Sequence, residues 1–156
     1  MPTLTTFLTY DTQAEEAAKL YTSIFDGKIL STNRYPAGGA KPEGTVLSVT
    51  FQIFGQTIVA LSAGPSFTFS SGFSMFVGCD TQAEIDAYWS RLTDGGKEVQ
   101  CGWLVDKFGL SWQIVPKVLG EMLSAKDGAK AGRTMQAMMP MKKLDIAALQ
   151  RAFDGG

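Results

Sequence analysis

The side chains that most often carry catalysis near neutral pH are absent or scattered in this chain. There is no histidine among its 156 residues. Neither a Ser-His-Asp nor a Cys-His nucleophile can therefore be assembled, and the imidazole ligands usual for zinc, nickel and iron are missing. The available thiols are Cys79 and Cys101. Cys101 could serve as a nucleophile, but its strand-like apolar surroundings offer no base, and inert packing is the alternative. Gln113 could orient a ligand through its amide, or satisfy a buried backbone group. Phe73, Met75 and Trp103 could wall a pocket or simply fill a core. Asp106 opens the turn-forming run Asp106-Lys107-Phe108-Gly109. Arg34 and Lys41 could steer an anion from a Pro- and Gly-containing loop. No carboxylate pair stands out for acid–base chemistry.

Composition narrows the class further. The net charge is -1, with 19% charged and 45% hydrophobic residues, so there is no electrostatic footprint for nucleic acid and no polybasic run for an anionic membrane. The N-terminal residues carry no secretory signal pattern, and no apolar stretch is long enough to span a bilayer. A cytoplasmic protein with two free thiols is expected. Seven Met and ten Phe suit a core or pocket with soft, aromatic walls.

The elements that must position these residues are set by an internal repeat. Asp11-Thr12-Gln13-Ala14-Glu15 recurs 69 residues later as Asp80-Thr81-Gln82-Ala83-Glu84, and the same offset aligns Phe7 with Phe76, Ala18 with Ala87, and Gly27-Lys28 with Gly96-Lys97. Thr12 with Glu15, and Thr81 with Glu84, fit a capping box that opens a helix. A strand precedes each box, at 4–10 and 73–79. Ala14, Ala17, Ala18, Tyr21 and Phe25 in the first helix, and Ile85, Tyr88, Trp89 and Leu92 in the second, sit at helical spacing. Strands follow at 28–32, 45–54 and 56–63 in the first half, and near 97–100, at 100–105 and at 110–115 in the second. Phe-Gly recurs at 54–55 and 108–109, an offset of 54. The second repeat is therefore shorter by the difference between 69 and 54 residues, a stretch that corresponds chiefly to the loop 33–44. Three short helices are expected at 117–124, 128–138 and 144–153.

Two βαβββ units in tandem resemble the vicinal oxygen chelate fold of glyoxalase I, bleomycin-resistance proteins, fosfomycin-resistance proteins and extradiol dioxygenases. Gln100-Cys101-Gly102-Trp103, Asp106-Lys107-Phe108-Gly109, Ser111-Trp112-Gln113-Ile114-Val115-Pro116, and the tail motifs Met135-Gln136-Ala137-Met138 and Met141-Lys142-Lys143-Leu144-Asp145 resemble the PhnB-like branch, labelled demethylubiquinone methyltransferase-like. The resemblance implies an α+β fold with a curved sheet of the glyoxalase/bleomycin-resistance type. It would comprise module one at 3–64, a linker at 65–72, module two at 73–116 and a helical tail at 117–156.

In metal-using relatives of that superfamily, four ligands come from the first and last strands of each unit. The resemblance places those positions at Leu4, Val59, Phe73 and Gln113. Three cannot ligate, and a single amide oxygen cannot hold a transition metal, so no metal and no cofactor are expected. The same geometry implies that Phe73, Met75, Val77 and Cys79 face the cavity with Ser111, Gln113 and Val115, while Trp112 and Ile114 pack on the helix. Ser66, Phe67 and Phe69 in the linker would contribute walls; a histidine often stands in the branch where Ser66 is. The methyltransferase label meets no Gly-rich strand–turn–helix for adenosylmethionine. The leading expectation is a metal-free protein that binds a small apolar or aromatic molecule near Phe73, Met75, Trp103, Gln113, Cys101, Ser66 and Phe69. The alternative is an enzyme of unassigned reaction, metal-independent or methyl-transferring. A homodimer is expected, with no nucleic-acid or membrane partner.

Overall fold

Each of the two repeats folds its apolar helix stripe onto one face of its own four-stranded sheet. The computed structural model describes residues 1–156 and divides into two units, Met1–Thr68 and Phe69–Gly156.

The first unit runs β1 (Thr6–Tyr10), α1 (Ala14–Ile24), β2 (Lys28–Arg34), β3 (Val46–Ile53) and β4 (Gln56–Ser62), in sheet order β1-β4-β3-β2. Only β1 and β4 are parallel. Ala14, Ala17, Ala18, Tyr21 and Ile24 of α1 are buried. So are Leu8, Val49, Phe51, Ile58 and Ala60, which the register places on the same sheet face. The two buried tyrosines, Tyr10 and Tyr21, share a hydrogen bond of 3.1 Å between their hydroxyls. Gly27 is required by close approach: a Cβ there would overlap the carbonyl oxygen of Gln52. Its repeat partner Gly96 meets the carbonyl oxygen of Val105 in the same way.

The expected capping box does not form in this unit. The residue before α1 is Gln13, with no side-chain cap. Glu15 instead pairs with Lys19 at 2.7 Å and Arg34 at 3.7 Å, and the amide of Ala14 donates to Ser62 Oγ at 3.1 Å. A hydroxyl from the neighbouring strand has taken over the cap.

The second unit repeats the plan with β5 (Ser74–Cys79), α2 (Gln82–Thr93), β6 (Lys97–Glu98), β7 (Trp103–Val105) and β8 (Ser111–Pro116), in order β5-β8-β7-β6. Here the box forms. Thr81 Oγ1 accepts from the amide of Glu84 at 3.2 Å, and the Glu84 carboxylate accepts from the amide of Asp80 at 2.8 Å. Asp106 does more than open its turn. It is 3% exposed, accepts from the amides of Phe108 and Leu110, and receives the indole N–H of Trp112 at 2.9 Å.

The expected strand at 100–105 is interrupted, and Cys101 does not lie in a strand. Cys101 and Gly102 both have positive φ, 58° and 84°. Their amides donate to the carbonyls of Met141 and Lys142 at 2.7 and 2.8 Å. The tail thus supplies backbone partners that the short β6 cannot. It forms α3 (Lys117–Leu123), α4 (Gly128–Met138) and α5 (Ile146–Asp154). Val115, Leu119, Met122, Leu144 and Leu149 make one buried cluster, with Met138, Met141 and Phe153 against it. The amide of Gln82 clamps the start of α5: Nε2 donates to the carbonyl of Leu144 at 3.0 Å, and Oε1 accepts from the amide of Ile146 at 2.8 Å. No helix is long and apolar enough to cross a membrane.

Candidate functional site

Strand register decides which side chains share the face of the second sheet opposite α2. Gln113 pairs with Phe76 on β5 and with Trp103 on β7; Ser111 pairs with Ser74 and Val105. That face carries Ser74, Phe76 and Gly78 from β5. Met75 pairs with Trp112 and Val77 with Ile114, so Met75, Val77 and Cys79 lie on the α2 side. The inward placement of those three residues is therefore corrected: parity slips by one, and a one-residue slip moves a whole strand face. The signal was in the repeat, because Phe7 aligns with Phe76, and both are exposed, at 57% and 61%. Trp112 and Ile114 are buried on the helix side as expected.

The open face has a polar centre in an apolar surround. Gln113 Nε2 donates to Ser74 Oγ at 2.9 Å. This fixes the amide orientation and turns Oε1 into an available acceptor. Phe76 and half-buried Trp103 flank it, and the stem of Lys117 lies over Gly78, where a Cβ would meet Lys117 Cγ at 3.3 Å. The Lys117 ammonium is held by Asp80 at 3.0 Å, which raises its pKa above the ordinary value. At the corresponding place in the first unit, Phe7 and Thr50 flank Val59, with no amide.

The remaining candidates are not gathered there. Phe73 is exposed and just precedes β5. Ser66 is exposed, Phe69 is half-buried, and both lie outside the strands. Cys101 donates weakly toward the carbonyls of Met138 and Met139, at 3.8 and 3.6 Å. Cys79 is buried, and desolvation pushes its thiol up to about 11. Arg34 is committed, donating to the carbonyl of Gly44 at 3.0 Å.

The metal positions fit no metal. Leu4 is fully exposed ahead of β1, Val59 and Phe73 are apolar, and Gln113 is spent partly on Ser74. No group of three or more His, Cys, Asp or Glu side chains is arranged to hold an ion.

A model of the 3-demethylubiquinone-9 3-methyltransferase family matches residues 2–115. The chain belongs to that family. It is 37% identical to the PhnB protein from Bacillus cereus, with 74% of this chain and 99% of that one covered and a TM-score of 0.68. Protein PA1353 from Pseudomonas aeruginosa (16% identity, 74% and 98% covered, TM-score 0.61) shares the fold. So does the fosfomycin resistance protein FosX from Mesorhizobium loti (13% identity, 80% and 98% covered, TM-score 0.57). The fold is of the glyoxalase/bleomycin-resistance type, with helices added at the C-terminus. No curated protein matches. The family match stops at residue 115, so the α3–α5 tail lies outside it.

Proposed function

We propose that this family member binds a small, flat, partly apolar molecule without a metal, on the open face of its second sheet. The observation that carries the reading is the Gln113 amide, fixed by Ser74 and bordered by Phe76 and Trp103. Such a surface suits an aromatic ring that offers one hydroxyl to Gln113 Oε1. The family's name refers to a demethylated ubiquinone, itself a substituted ring of that kind. Trp89 and Trp112 are 4% and 1% exposed, so half-buried Trp103 is the tryptophan placed to report binding.

The test is fluorescence and calorimetric titration with a soluble methoxyphenol, 2,3-dimethoxy-5-methylphenol. Saturable quenching is expected. Trp103→Phe should remove the quenching, Gln113→Ala should weaken binding by about 1 kcal/mol, and Cys101→Ser should leave it unchanged. No saturable binding, or indifference to Gln113→Ala, refutes the proposal.

The family name favours a second reading, methyl transfer. Neither β1–α1 nor β5–α2 is joined by a glycine-containing turn, so no adenosylmethionine cradle of the Gly-rich type is present. Calorimetry with millimolar adenosylmethionine is expected to show no heat; a saturable signal would overturn that expectation.

A homodimer forms part of the proposal. Each sheet ends in two edge strands, β1 and β2 or β5 and β6, and edges of this kind are ordinarily covered. Light scattering giving the chain mass of 16.8 kDa would refute it.

A further inference from the structure

We infer that the first unit carries a separate binding site, a cleft that takes a small zwitterion of the α-amino-acid class. The cleft holds about 350 Å³ where β1 and β4 end and the β2–β3 loop folds back. That volume is at the small end of ligand pockets. Asp11 and Lys41 supply its charges, and Tyr35 and Val46 an apolar wall. Neither charge has a hydrogen bond or ion pair within the chain.

The internal repeat says what Asp11 lacks. Tyr10 pairs with Ser62 in the first sheet and Cys79 with Pro116 in the second, so Asp11 corresponds to Asp80 and Ala63 to Lys117. In the second unit that aspartate holds the Lys117 ammonium at 3.0 Å. In the first, alanine stands where the lysine would be, and the space opens into the cleft. An incoming ammonium group restores the pairing its duplicate already makes.

The opposite charge comes from the loop that the second unit lacks. Lys41 is carried on a backbone fixed by hydrogen bonds from the amides of Tyr35 to Thr45 (2.8 Å), Gly44 to Tyr35 (3.0 Å) and Thr45 to Pro42 (3.1 Å). Arg34 braces its root, binding the Gly44 carbonyl at 3.0 Å and Glu15 at 3.7 Å. Asp11 and Lys41 do not reach each other. A simple anion or cation would satisfy one charge and meet its own sign at the other, whereas a zwitterion satisfies both.

The test is amide NMR on the labelled full chain, titrated with L-leucine, L-phenylalanine and glycyl-L-leucine. At least one should shift the amides of Asp11, Thr12, Tyr35, Lys41 and Gly64 at up to about 10 mM. N-acetyl-L-leucine and L-leucinamide, each missing one charge, should bind at least about tenfold more weakly than L-leucine. Ala63→Lys, which copies the second unit, should abolish the shifts while leaving the melting temperature unchanged; Asp11→Asn should weaken them about tenfold. The inference is overturned if none of the three zwitterions shifts these amides. It is equally overturned if a capped form binds as well as L-leucine, or if folded Ala63→Lys binds like the parent.

Discussion

Replacing Asp106 by Asn should unfasten the hairpin that presents Trp103 and Gln113. The Asp106 carboxylate accepts three hydrogen bonds, from the amides of Phe108 (2.9 Å) and Leu110 (3.1 Å) at Oδ1 and from Trp112 Nε1 (2.9 Å) at Oδ2. An Asn side chain can keep its oxygen on the two amides, but its NH2 then faces the indole N–H, donor against donor. A hydrogen bond to a charged group contributes about 1.5–3 kcal/mol, and a buried donor left unpaired costs about 1–3 kcal/mol. These overlap, so Asp106→Asn should cost about 3 kcal/mol. Trp112→Phe removes the indole donor; in that background Asp106→Asn should cost only about 1 kcal/mol, a coupling of about 2 kcal/mol. Urea unfolding followed by tryptophan fluorescence is the assay, because Trp89, Trp103 and Trp112 all lie in the second unit and report it alone. A loss below about 0.5 kcal/mol, or equal losses in both backgrounds, would refute the reasoning.

Other consequences are equally direct. Gln82→Ala should destabilise the second unit by about 1–3 kcal/mol and speed tryptic cleavage at Lys142 and Lys143; an unchanged cleavage rate would show that Gln82 is not the clamp. At pH 8 the native chain should present one thiol to a disulfide reagent, lost in Cys101→Ser, since Cys79 is buried and pushed up to about 11; two reactive thiols would contradict the packing. Gln82 first and Lys143 second hold the Asp86 carboxyl below its ordinary value. Its contribution is therefore complete at neutral pH and lost as the pH falls through the depressed value. Asp86→Asn should flatten the acid side of the stability profile, and an unaltered profile would argue against it.

The fold was legible because its signals are local and doubled. The recurring Asp-Thr-Gln-Ala-Glu, the helical apolar stripes and the recurring Gly27-Lys28 and Gly96-Lys97 each mark an element boundary, and the repeat checks one copy against the other. The tail helices were readable for similar reasons: Asp127 and Asp145 cap α4 and α5, and Pro116 ends β8. What failed depended on partners distant in sequence. Ser62 displaced the Thr12–Glu15 box, Met141 and Lys142 drew Cys101 out of a strand, and the β5–β8 register moved Met75 to the helix side. Gln113 was legible as a candidate from its residue type, but Ser74, which aims it, is 39 positions away. The cleft beside Asp11 is not legible as a cavity in the sequence, because its walls come from β1, β4 and the β2–β3 loop; only the charge of Lys41 in a Pro- and Gly-containing loop is.

The borrowing of Met141 and Lys142 by the second sheet sets a schedule for synthesis. All the residues of the first unit are present once residue 68 has emerged. The second unit's strands appear by Pro116, yet the partners of Cys101, Gly102 and Gln82 lie between Met141 and Ile146. At roughly 5–20 residues per second the ribosome needs about 1.5–6 seconds to cover that gap. During it Val115, Leu119 and Met122 lack Leu144 and Leu149, which complete their buried cluster. A chaperone that favours apolar nascent segments would find its opening in that interval, and a ribosome stalled there would hold a half-finished sheet with an adhesive end.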